Sequence, residues 1–116
     1  MNIMVATGID AAHLASASEA ATELLKALAN RHRLMIVCQL LERERSVGEL
    51  AELVGLRQST VSQHLALLRK DGLVSSRRDG QTVWYAIASA GAQAVVEALY
   101  HVYCGSDVKR RRRAKV

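Results

Sequence analysis

Proline is absent from the 116 residues, and no stretch approaches the roughly 20 uncharged apolar residues that a membrane-crossing helix requires. The start, MNIMVATGIDAAHLASAS, lacks the basic region and apolar run of a signal peptide. These absences predict a cytoplasmic protein with no membrane partner and a flexible leader over residues 1–17. Cysteine is scarce: Cys38 and Cys104 are the only two. They do not form a Cys-x-x-Cys pair on alternating strands and helices, which argues against a thiol oxidoreductase. Neither a Ser/His/Asp grouping nor a phosphate-cradling glycine loop occurs, so the chain is not read as an enzyme. His13, His32, His64 and His101 are scattered without close pairing, a poor basis for a tetrahedral metal site. No cofactor and no metal are expected.

What is present is a chain that is 50% hydrophobic, enough for one small domain, expected over residues 18–105. The net charge of +5 points to a polyanionic partner, and its distribution says more than its sum. The run KRRRRAK, Lys109 to Lys115, holds six of the sixteen basic residues. With it, residues 106–116 are expected to form a disordered basic tail that adds only nonspecific attraction for phosphate. Residues 1–56 carry five basic and seven acidic groups, whereas residues 57–78 carry five basic and one acidic. Positive charge inside the domain is thus concentrated on one segment.

Periodicity predicts mostly helix. Leu24, Leu25 and Leu28 mark an apolar stripe on a first helix from about Ser18. Asn30 is a candidate cap for a second helix, with Leu34, Val37, Cys38 and Leu41 on its buried side. A short third helix in SVGELAELVG is capped by Ser46 and ended by Gly55, with Val47, Leu50 and Leu53 or Val54 inward. Gln58 to Lys70 forms the fourth, with Val61, Leu65 and Leu68 at spacings of four and three. Two short helices across a glycine-containing turn make a helix-turn-helix candidate.

If Val61, Leu65 and Leu68 face the core, Gln58, Ser59, Ser62 and Gln63 lie toward the other side. A helix start offers N–H groups and a positive dipole to phosphate, and Gln and Ser can hydrogen-bond base edges in a major groove. An isolated Ser/Gln cluster would more simply be a solvated surface, but its setting continues with a hairpin. LVSSRR and QTVWYAI read as strands around an Asp79-Gly80 turn, with Val83, Tyr85 and Ile87 on one face. Arg77 and Arg78 beside the turn can reach phosphate or the minor groove. The fold class expected is therefore mainly α with a β-hairpin wing, a winged helix-turn-helix binding double-stranded DNA. A last helix from about Ser89 to Cys104 shows Val95, Val96, Leu99, Val102 and Tyr103. That apolar surface is too broad for so small a core and predicts a homodimer.

The segments LKALANRHRLMIVCQLL, SVGELAELVGLRQSTVSQHLALLRKDGLVSSRRDGQTVWYAI and ALYHVYC resemble the ArsR/SmtB family of dimeric bacterial repressors. The resemblance covers about Leu25 to Cys104. It implies a homodimer through first and last helices, recognition helices in successive major grooves, and release from operator DNA when an inducer binds. Carried over, the DNA-reading positions are Gln58, Ser59, Thr60, Ser62, Gln63 and His64, with the wing at Arg77 and Arg78. One departure is Arg57, where many members have a helix-capping serine.

Cys38 on its apolar stripe reads as a small buried hydrophobe, whereas Cys104 near a helix end is more open to reagents. The pair IVCQLL and HVYCG is similar to the BigR/SqrR-type subgroup, which responds to persulfides. That similarity implies that Cys38 and Cys104 are sensing thiols joined by a polysulfide or disulfide, with a persulfide or polysulfide as inducer. Other readings stay open: a metal-sensing or constitutive repressor with structural cysteines, or an interaction module that does not bind DNA.

Overall fold

The computed structural model describes residues 9–115, with side chains through residue 105. Among the described residues, five helices and three strands follow one another as α1 (Ala11–Leu28), α2 (Arg31–Leu40), β1 (Arg45–Ser46), α3 (Val47–Val54), α4 (Gln58–Lys70), β2 (Val74–Asp79), β3 (Thr82–Ile87) and α5 (Ala90–Lys115). The strands form one antiparallel sheet in the order β1-β3-β2.

Local chemistry sets most of these boundaries. The Asn30 side chain accepts from the His32 and Arg33 amides at 2.9 and 3.0 Å, satisfying two donors that the first turn of α2 leaves unpaired. Ser46 and Glu49 form a capping box: the Ser46 hydroxyl accepts from the Glu49 amide at 3.2 Å, and the Glu49 carboxylate accepts from the Ser46 amide at 3.0 Å. Gly55 closes α3 at φ 72°, a left-handed conformation that residues with a Cβ resist. Only Leu56 and Arg57 then separate it from α4, so α3 and α4 form the expected helix-turn-helix.

Two helix ends differ from expectation. Helix α1 begins at Ala11, not Ser18, because the Asp10 carboxylate accepts from the Ala12 amide at 3.3 Å and the following residues are mostly Ala and Ser. Residues 11–17 of the expected leader are therefore helical, and residues 1–8 lie outside the described residues. The backbone of α5 continues as helix to Lys115, past the expected end at Cys104 and into the expected tail. The added run is rich in Arg and Lys, good helix formers, and holds no proline to stop it.

The core gathers Ile36, Val37 and Leu40 of α2, Leu50, Ala51 and Val54 of α3, Val61, Leu65 and Leu68 of α4, Leu73 and Val74, and Ala92 and Val96 of α5. Leu34, Cys38 and Leu41 pack at its margin, so α2 turns about one residue away from the stripe expected. Val54, not Leu53, faces inward, and Leu53 is exposed. Leu25 is 56% exposed although the stripe placed it inward, and Val102 and Tyr103 of α5 are 72% and 79% exposed.

The hairpin pairs one residue further than expected. Asp79 opposes Thr82, so the two-residue loop is Gly80-Gln81, with φ 65° at Gly80 and no positive φ at Gln81. Those signs belong to a type II′ turn, whose first position favours glycine. Loss of the α3 cap gives a direct check: Ser46→Ala should lower unfolding stability by about 1 kcal/mol in urea titrations, and an unchanged midpoint would contradict the role given to the capping box.

Candidate nucleic-acid interface and thiol pair

Helix α4 is fixed from one side only. Val61, Leu65 and Leu68 are fully buried. At 3.6 residues per turn the opposite line is Ser59, Gln63, Ala66 and Lys70, all exposed, with Gln58 and Ser62 exposed along one flank. Four of the residues read from the sequence, Gln58, Ser59, Ser62 and Gln63, thus share one accessible surface. The Gln58 amide nitrogen lies 3.6 Å from where a Cβ on Gly48 would sit, which places that side chain along the start of α3. Lys70 completes the exposed line and was not among the sequence candidates; the signal that could have found it is its spacing of seven from Gln63. Arg57 stands at the N-cap position without a side-chain hydrogen bond to the helix.

Thr60 and His64 are placed differently. Thr60 is half-buried. His64 turns toward α2, its ring centroid 5.9 Å from that of His32. The His64 ring is only partly buried, but its Nδ1 is sealed from solvent and has no hydrogen-bond partner among the described residues. Desolvation first, then the nearby charges of Arg33 and His32, push the His64 pKa below its ordinary value. His64 therefore belongs to the seat of the helix against α2 more than to its exposed row.

The wing arginines also divide. Arg77 opposes Trp84 and Arg78 opposes Val83, so they project from opposite faces of the hairpin. Arg77 grips the Glu44 carboxylate with two guanidinium nitrogens, Nε at 3.1 Å to Oε2 and a shorter bond to Oε1. This bond holds the Glu44 carboxyl below the usual carboxylate range. Arg78 is exposed and forms no ion pair among the described residues. A second arginine bond was invisible to sequence patterning: buried Arg45 donates to the Gln39 carbonyl at 2.9 Å and to Glu42 at 2.6 Å, tying the end of α2 to the sheet edge.

Cys38 of α2 and Cys104 of α5 are both free and half-buried, on helices that pack together. Burial first, and then the neighbouring Cys104, push the Cys38 thiol above its ordinary value. No cluster of three or more His, Cys, Asp or Glu suited to a metal occurs among the described residues, and no helix there is long and apolar enough to cross a membrane.

A short helix pair, an exposed polar face on its second member and an adjoining antiparallel hairpin define a winged helix-turn-helix protein. Residues 30–76 match the family model described as bacterial regulatory protein, arsR family. The chain is 52% identical over 90 residues to the transcriptional activator HlyU of Vibrio cholerae, spanning 78% of this chain and 83% of that one. The crystal structure of the transcriptional repressor BigR from Xylella fastidiosa superposes with a TM-score of 0.77 at 38% identity, covering 83% of this chain and 98% of that one. A homodimeric winged helix-turn-helix DNA-binding domain, Mb0332 from Mycobacterium bovis, does so at 0.67 and 32% identity, covering 83% and 88%. The chain belongs to the arsR family of bacterial regulatory proteins, a family of transcriptional regulators and not of enzymes.

The seat of His64 gives a pH-dependent expectation. Its folded-state pKa is depressed, so the stability tied to the neutral ring is complete above the unfolded value and is lost as pH falls through the folded one. Urea midpoints from about pH 7.5 to about pH 5, spanning the unfolded pKa of about 6.5, should fall more steeply for the native chain than for His64→Gln. Parallel curves would contradict the inward placement.

Proposed function

We propose that the chain is a dimeric transcriptional repressor that binds palindromic operator DNA and lets go when Cys38 and Cys104 become joined through sulfur. The carrying observation is that both thiols sit on packed helices, and that one of those helices, α2, also seats the reading helix α4. In this reading Gln58, Ser59, Ser62 and Gln63 meet base edges, with Thr60 and His64 at the margin of the contact. Lys70 and Arg78 lie toward phosphate. The exposed Leu25, Val102 and Tyr103 supply the dimer face. Twofold symmetry places half-sites about one helical turn apart. As a regulator of chromosomal DNA, it acts in the cytoplasm.

Each thiol takes one sulfane sulfur from a low-molecular-weight persulfide, releasing the parent thiol. One protein persulfide then attacks the inner sulfur of the other, forming a trisulfide and releasing hydrogen sulfide. A direct disulfide demands Cα atoms within about 7 Å, whereas a longer sulfur chain tolerates a wider gap. That tolerance gives a physical route to separating persulfide from peroxide. A bridge alters the spacing of α2 and α5 and, through α2, the separation of the two reading helices across the dimer. Breaking a well-formed pair of hydrogen bonds to one base costs about 1–3 kcal/mol, enough over one half-site to release DNA. Repression is favoured over activation by this logic, since occupancy ends when inducer arrives.

Two measurements test the reading. Gln63→Ala should narrow the gap between operator and random-sequence affinity, while Arg78→Ala should weaken both alike and lower the salt slope by about 0.9; identical profiles for the two variants would count against these roles. Intact mass after glutathione persulfide should show a bridged chain carrying added sulfur. Unmodified thiols would return Cys38 to the core and leave the inducer to be sought elsewhere, metals first.

A further inference from the structure

The sheet is ordered β1-β3-β2, so its middle strand separates β1 from the wing strand that carries Arg77. Ser46 and Arg77 both oppose Trp84, from opposite sides of β3. Side chains opposed in this way share a face, and alternation puts Glu44, two residues before Ser46, on that same face. Glu44 therefore reaches across β3 on the side of Trp84 and takes the Arg77 fork through Nε and a terminal nitrogen. The other terminal nitrogen of Arg77 lies 3.9 Å from the Asp79 carboxylate. Arg43, the neighbour that would otherwise compete for Glu44, is engaged with Glu49 at 2.8 Å.

Two carboxylates thus attend a single guanidinium. Arg78, on the opposite face, has no such attendant among the described residues. Two adjacent arginines in sequence would be expected to add two phosphate contacts; the geometry gives them different tasks.

We infer that Glu44 determines what the wing offers to DNA, withholding Arg77 from phosphate and leaving Arg78 as the wing's cation. Glu44 is then a positioning residue that limits sequence-independent affinity, because an engaged Arg77 releases no counterion on binding. Bidentate carboxylate recognition by arginine is directional, which also orients the hairpin relative to β1. The inference rests on the DNA-binding reading above.

Salt dependence on a random-sequence duplex resolves it, since each phosphate contact contributes about 0.9 to the slope of log affinity against log salt. Arg78→Gln should lower the slope by about that amount, and Arg77→Gln should leave it nearly unchanged in the native background. Glu44→Ala should steepen it by a similar increment, and Arg77→Gln added to Glu44→Ala should cancel the gain. Thermal melts and the emission of Trp84, the sole tryptophan, report whether the wing stays in place. If Glu44→Ala loosens the hairpin, Glu44→Gln keeps an acceptor for Arg77 while removing the charge and should raise random-sequence affinity several-fold. A slope for Arg77→Gln that drops as far as that for Arg78→Gln overturns the inference while leaving DNA binding intact. No salt-dependent binding by the native protein overturns the DNA reading itself, and this inference with it.

Discussion

The seating of α4 on α2 and α3 is the constraint on which the rest depends. Val61, Leu65 and Leu68 occupy one side of a thirteen-residue helix and are fully buried against Ile36, Val37, Leu40 and Leu50. Burial at roughly 25 cal/mol per Å² makes rotation of such a helix costly. Once those three side chains are placed, helical geometry leaves Ser59, Gln63, Ala66 and Lys70 nowhere to point but outward. The polar face is a consequence of the apolar one.

Helix α2 carries a second obligation. On one side it supplies core to α4 and holds the ring of His32 against His64; elsewhere it carries Cys38 beside α5. In the proposed switch, a covalent change at Cys38 reaches the seat of α4 because packed interiors shift as units and not by smooth deformation. The sheet is anchored separately: Arg45 ties the end of α2 to β1, and Glu44, its neighbour, ties β1 to the wing. The region between Gln39 and Ser46 therefore joins the support of α4 to the hairpin through side chains, although it contributes only two residues of strand.

Signals that act over a few residues were legible in the sequence. Asn30, Ser46 and Gly55 bound helices because each satisfies or permits a backbone geometry that its neighbours require, and the 4,3 spacing of Val61, Leu65 and Leu68 identified the buried face. Tertiary choices were not legible. Leu53 and Val54 are equivalent to periodicity, and only the position of the neighbouring helices selects Val54. Leu25 reads as core because periodicity does not say which apolar positions of a helix its neighbours cover. His64 lies between the buried and exposed sides of α4, so its direction is set by α2. The Arg77–Glu44 bond joins residues 33 apart in sequence, beyond any local pattern.

The most direct test is the operator affinity of the reduced dimer before and after glutathione persulfide, for the native chain and for Cys38→Ser and Cys104→Ser. The native protein should lose affinity by an order of magnitude or more, while each serine variant binds equally well with and without persulfide. Persulfide-induced release that persists in either variant would contradict a sulfur-bridged switch, because no bridge between α2 and α5 could then be the cause.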